Sequence, residues 1–201
     1  MAKNYKWGIE SINDNPVHVV LFVSRNKDNK DVKDFEERRT SFITNQPMFS
    51  EYLDTKFDTF VQQGVPGEMS RMYYSVNARN LKKIHNQLLH FLIDEPDFNL
   101  CSISSKIAEV AALRECAAQK RWMFDFDINS EEKVIQFVED IKTIASADEN
   151  PISVEVRPTP HGYAVITSRG FDTRELYKKW DESLVSLKRD DLLCCNWKTK
   201  E

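Results

Sequence analysis

The sequence predicts an α/β protein of the α+β kind, and three observations predict it. β-Branched and aromatic runs of strand length recur along the chain. Between them lie stretches with apolar residues at helical spacing. In the second half the two kinds alternate as β-α-β-β-α-β. With 201 residues, 41% of them hydrophobic, the chain holds enough apolar material for a full core and too much for a disordered tail. We expect one compact unit over residues 1–201. Its sub-modules are an N-terminal α/β module, residues 1–120, and a βαββαβ module, residues 121–201.

The elements follow in order. Val17 to Val23 is a β-branched run, read as a buried strand, and it ends in a polar loop dense in both charge signs, Ser24 to Asp31. Ser41 to Thr44 suggests a second strand. Ser50 is placed to cap a helix carrying Leu53, Phe57 and Phe60 on one face, with Gly64 ending it. Val65-Pro66-Gly67 turns the chain. Arg71 to Asn77 reads as a strand, followed by Ala78-Arg79-Asn80. Leu81, Ile84, Leu88, Phe91 and Leu92 mark an amphipathic helix, with Pro96 beyond its end. Ile107, Val110 and Ala111 suggest another, reaching about Gln119.

In the second half, Trp122 to Ile128 is a strand. Ser130 starts a helix with Val134, Phe137, Val138, Ile141 and Ile144 inward. Ser146 to Asn150 is a polar loop. Ile152 to Val156 alternates as a strand, Pro158 to Gly162 turns, and Tyr163 to Thr167 is the next strand. Asp172-Thr173 opens a helix bearing Leu176, Tyr177 and Trp180, and a last strand falls within Leu184 to Trp197. This is the ferredoxin-like order, in which the first and third strands are central neighbours. It predicts that the Asp125 strand lies beside the Tyr163 strand.

Composition excludes several functions. Lys and Arg number 28 against 32 Asp and Glu, a net charge of −4, which argues against coating nucleic acid by charge alone. It leaves room for an enzyme whose acidic site is bridged to its substrate by metal ions. Cys101, Cys116, Cys194 and Cys195 form no CxxC, and His18, His85, His90 and His161 supply no zinc spacing. The thiols read as small reduced hydrophobes in a reducing compartment. Only five glycines are present, none in a phosphate-cradling loop, so P-loop and Rossmann nucleotide binding are not expected. No apolar run is long enough to span a membrane, and Met1 to Trp7 lacks the apolar core of a secretory signal. The expected localisation is cytoplasmic.

The sharpest feature is Trp122-Met123-Phe124-Asp125-Phe126-Asp127-Ile128. Side chains alternate along a strand, so Trp122, Phe124, Phe126 and Ile128 face one way and Asp125 and Asp127 the other. Two like charges about 7 Å apart repel, and burying them unpaired is costly. A divalent cation removes that penalty, and metal pairs serve in-line phosphoryl transfer. The plain alternative is a solvated or salt-bridged acidic face. Asp190 or Asp191 is a candidate third carboxylate, or else part of a charged turn. In Pro158-Thr159-Pro160-His161-Gly162-Tyr163, the prolines fix φ, and Gly162 permits close backbone approach or a positive φ. That turn could hold a nucleotide, with His161 on a phosphate or base, or be a plain hairpin. Arg25, Lys27, Arg71 and Arg79 sit at strand ends and loops, where binding residues gather, and Tyr73 or Tyr74 suits stacking. Each of these alone also fits an ordinary surface charge.

Taken in order, these pieces resemble the archaeo-eukaryotic primase superfamily, and more closely the small primase-polymerase-like proteins of phages and mobile elements. The stretches that carry the likeness are Arg25 to Asn29, Arg71 to Arg79, Trp122 to Asp127, Thr159-Pro160-His161-Gly162-Tyr163, Gly170-Phe171-Asp172 and Lys188-Arg189-Asp190. The resemblance implies an RRM-like catalytic module packed on a second α/β module, with the site between them. It implies metal-dependent nucleotidyl transfer on nucleotides and DNA or RNA, in a DNA-replication setting, with Mg or Mn as cofactor. Asp125, Asp127 and Asp190 would be catalytic metal ligands. Arg25, Lys27, Arg71, Arg79, His161, Gly162, Tyr163 and Arg189 would contact nucleotide or phosphate. Replication or host proteins are further expected partners, and a phage-encoded protein would act in the infected cell. One departure stands out: the family's second motif places a His just after the Gly-aromatic pair, and here that residue is Ala164. The alternative function is therefore a catalytically inactive primase-like fold serving as an interaction or nucleic-acid-binding protein.

Overall fold

The computed structural model describes residues 16–146 and 150–201. The readings of Met1 to Trp7, and of the middle of the loop after Ser146, lie outside the described residues. The protein is mixed α+β, with two antiparallel four-stranded sheets and, among the described residues, five α-helices.

The first sheet is built from β1 (His18–Ser24), β2 (Arg38–Thr44), β3 (Met69–Ser75) and β8 (Leu192–Thr199), in the order β2-β1-β3-β8. Helix α1 (Glu51–Gln62) covers one face, with Leu53, Phe57, Phe60 and Val61 on Val20, Phe22, Met72 and Tyr74. Ser50 caps it as expected, its side chain accepting from the Leu53 amide, an interaction worth about 1 kcal/mol. On the other face Val17 and Val19 pack against α2 (Leu81–Asp94) and α3 (Ile103–Ala112), through Ile84, Val110 and Ala111. α3 ends earlier than the alanine pattern suggests. The chain turns at Leu113 into a 3-10 turn, Arg114–Cys116, that buries Cys116.

The second sheet contains β4 (Trp122–Phe126), β5 (Val154–Thr159), β6 (Gly162–Thr167) and β7 (Val185–Lys188), ordered β5-β6-β4-β7. α4 (Glu131–Ala145) and the single turn α5 (Arg174–Tyr177) cover one of its faces. Phe124, Phe126 and Phe137 are fully buried there, each contributing about 1.5–3 kcal/mol of apolar burial. As the alternation predicts, the aromatic face of β4 lies under helices and β4 sits beside β6. Asp125 is in register with Ala164, and Phe126 with Tyr163.

The C-terminal segment differs from its reading. It holds two strands, not one: β7 completes the second sheet, and β8 returns to pair with β3 of the first. A bulge interrupts the β3–β8 register between Met72 and Tyr73. The two sheets meet through a small apolar seam of Val76 and Leu193 against Met123, Ala164 and Ile166.

Candidate active site between the two sheets

Beyond that seam the sheets enclose a cavity of about 580 Å³. Its second-sheet wall carries Met123, Asp125, Asp127, Ala164 and Lys188, with Thr159, Pro160 and His161 from the end of β5 and the β5–β6 turn, and Asp191 also lines the cavity. Its first-sheet wall carries Leu21, Val23, Arg25, Lys27, Arg39, Arg71, Tyr73 and Cys194, with Glu37 among its cations. An acidic wall thus faces a basic one.

Strand periodicity explains the acidic wall. With Phe124 and Phe126 held under α4, Asp125 is forced to the opposite side, and Asp127, one residue past the end of β4, follows it. The Asp125 carboxyl is pushed above its ordinary value, first by burial and then by the charge of Asp127, with Asp191 adding to it. Lys188 pulls the other way and does not overcome it. Such a site gains from a cation or a proton.

The basic wall is set by a buried network that the charged loop hid. Arg71 and Asp28 side chains are each only 5% exposed and bond at 2.6 Å. Arg25 adds a bidentate grip on the same carboxylate, Nε at 2.8 Å and Nη2 at 3.2 Å. Burial would raise the Asp28 carboxyl, but Arg25 and Arg71 outweigh it and hold it below its usual range. Asn29, also buried, ties the loop down: its amide donates to Ser24 Oγ and to the Arg25 and Met69 carbonyls, and accepts from the Met69 amide. Asp28 and Asn29 fall within the Arg25 to Asn29 stretch, but nothing in the sequence marks them as buried partners of Arg71 and Met69.

His161 links the walls. Arg71 Nη2 donates to His161 Nε2 at 3.1 Å. Arginine has no acceptor, so Nε2 must accept and its proton resides on Nδ1. The Pro160-His161 turn is tight, with Thr159 paired directly to Gly162. Gly162 serves close approach: a Cβ there would meet the Phe126 carbonyl oxygen at 2.2 Å.

The structure therefore brings together Asp125, Asp127, Arg25, Lys27, Arg71 and His161. Other candidates lie elsewhere. Asp190 turns from the cavity into a buried pair with Arg79, 2.7 Å, the side chains 6% and 1% exposed, and accepts from Asn77 at 3.0 Å. Asp191, its neighbour, lines the cavity in its place. Arg79 is thus also away from the cavity. Arg189 lies over the Trp122 ring on the helix side of β4. Tyr163 faces α4, beside Val134, Ile135 and Val138. Ala164 projects toward the cavity, opposite Asp125.

Among the described residues no three His, Cys, Asp or Glu side chains converge as a ready-made metal cage. Mg²⁺ does not require one, since it commonly binds one or two carboxylates together with water and substrate phosphates. Asp125 and Asp127, with the raised Asp125 carboxyl, fit that mode of binding. Comparison with protein families, curated proteins and solved structures finds no match for this chain.

Proposed function

We propose that the protein is a metal-dependent nucleotidyltransferase of primase-polymerase type, using an RRM-like, ferredoxin-ordered second sheet as its catalytic module. One observation carries this reading: a single cavity sets Asp125 and Asp127 across from Arg25, Lys27 and Arg71. A bound Mg²⁺ or Mn²⁺ would neutralise phosphate charge and favour an ionised attacking hydroxyl. Asp125 and Asp127 hold that cation, with Asp191 within the same cavity. Arg71 and Arg25, fixed by Asp28, and Lys27 bind the triphosphate. His161 Nε2 and Arg71 stay engaged, which keeps the guanidinium aimed across the gap. In the proposed reaction a 3′-hydroxyl attacks the α-phosphate and pyrophosphate leaves.

Purified protein incubated with nucleoside triphosphates, a primed template and Mg²⁺ or Mn²⁺ should extend the primer or make one de novo. Asp125→Asn and Asp127→Asn should each remove that activity while leaving the fold intact. No nucleotide incorporation and no metal-linked nucleotide binding by the wild type would sink the proposal.

A second reading has specific support. Ala164 presents only a methyl group toward the cavity, and Asp190 is committed to Arg79. An inactive primase-like protein would bind nucleotide in this cavity without transferring it. Binding by calorimetry together with absent incorporation would favour that reading over the first.

A further inference from the structure

The row of side chains across the first sheet continues past the cavity. Val23 is in register with Arg39 on one side and Arg71 on the other, and Arg71 with Trp197 of β8. Residues directly opposite across an antiparallel pair share a face. Arg39, Val23 and Arg71 all line the cavity. Trp197 therefore stands on the same face, one strand further out.

Neighbouring residues confirm its direction. Asn196 and Lys198 both reach α1, bonding Asp54 and Asp58. Alternation then points Trp197 away from α1, toward the cavity side. The residue is 37% exposed, the one tryptophan among the exposed large apolar residues described. The row Arg39–Val23–Arg71–Trp197 spans three strand spacings, about 14 Å, with exposed Lys27 close by along the cavity wall. Arg39, exposed at one end of the row, and Trp197, exposed at the other, fit single-stranded nucleic acid, a cation for the backbone and an aromatic ring for a base, while the buried Arg71 between them stays with Asp28 and His161. The acidic wall is opposite, so a strand held on this row keeps its phosphates away from Asp125 and Asp127.

We infer that Trp197 is a base-stacking platform for a single nucleic-acid strand that passes the exposed Arg39 side of the first sheet, beside the triphosphate held by Arg71. This deepens the nucleotidyltransferase reading and rests on it only for the strand's role as template or primer.

The test is fluorescence anisotropy of a labelled oligothymidylate with the full chain, without metal or nucleotide. Trp197→Ala and Trp197→Leu should each weaken binding about tenfold, and Trp197→Phe, which keeps a π face, should stay within about threefold of wild type. Because the indole is uncharged, the salt dependence of binding should keep its slope in all three. Thermal unfolding of the leucine variant checks that apolar volume is retained. Wild-type affinity in Trp197→Leu, or no oligonucleotide binding by the wild type, overturns the inference. Asp125→Asn separates the two proposals. Loss of incorporation with tryptophan-dependent binding intact supports both. Tryptophan-dependent binding by a wild type that incorporates nothing leaves the platform standing and removes the enzyme. Primer extension with an affinity indifferent to Trp197 removes the platform alone.

Discussion

Two buried arginine–aspartate pairs share the same chemistry and occupy different ground. Arg79–Asp190 sits where the first sheet gives way to the second: Asn77 bonds both Asp190 and the Arg121 backbone, and the Arg79 amide bonds the Val17 carbonyl. Arg71–Asp28 sits on the wall of the cavity and shares its carboxylate with the more exposed Arg25. Both pairs are desolvated. The second has an opening beside it that an anionic ligand can enter. A buried pair is thus weak evidence of function by itself, and its surroundings separate a structural pin from a binding wall.

The strongest challenge to this contrast is Asp190→Ala. It leaves Arg79 charged and buried without its partner, and should cost about 3–5 kcal/mol in denaturant unfolding. Asp28→Ala should cost less, about 1.5–3 kcal/mol, because Arg71 lines the cavity, from which water can reach it, and Arg25 is already a third exposed. It should also weaken pyrophosphate binding measured by calorimetry, since Arg71 and Arg25 lose their common anchor. If Asp28→Ala proves as damaging as Asp190→Ala, and anion binding does not change, the two pairs do the same work. Stability should also fall in acid as Asp28 protonates. Its carboxyl is depressed in the folded state, so the contribution is present above the ordinary carboxyl value and is lost as pH drops through the folded one.

The smallest effect expected has the opposite sign. The Asp125 carboxyl is raised on folding, so its contribution is most favourable at low pH and is lost as pH climbs through the raised value. Asp125→Asn should therefore be more stable than wild type at neutral pH, by less than about 1 kcal/mol. The difference should shrink as the buffer is taken below the ordinary carboxyl range. A neutral-pH loss of stability in Asp125→Asn would show that the carboxylate is satisfied as it stands. It would also remove the main electrostatic reason for placing a cation there.

Periodicity made the acidic wall legible. Once Phe124 and Phe126 are inward, Asp125 has one side left. The same rule reaches Tyr163: with Ala164 in register with Asp125, its neighbour must face the helices. Other positions needed tertiary information. Asp190 and Asp191 are adjacent in sequence and chemically identical, and only the position of Arg79 decides which one is taken from the cavity. Asp28 and Asn29 looked like loop polarity because their partners, Arg71 and Met69, lie some forty residues on. The stretch read as one strand, Leu184 to Trp197, holds both β7 and most of β8, and local pattern does not show that β8 joins the other sheet. Its partner is β3, and its bulge breaks the alternation that would have announced it.

That last strand also sets a clock. Ser75 waits for Leu192 to be synthesised before the β3–β8 ladder can close. At ordinary elongation rates the interval is on the order of ten seconds. Through it the β3 edge is an open template, and Arg71 lacks the strand that flanks it. A nascent chain can bury Phe57 and Phe60 of α1 against Phe22 and Met72 early, yet this wall of the cavity is flanked on both sides only once β8 has been made. Ribosome stalling within the second module should therefore produce a species with its first core folded and an edge strand exposed to chaperones or to a neighbouring copy.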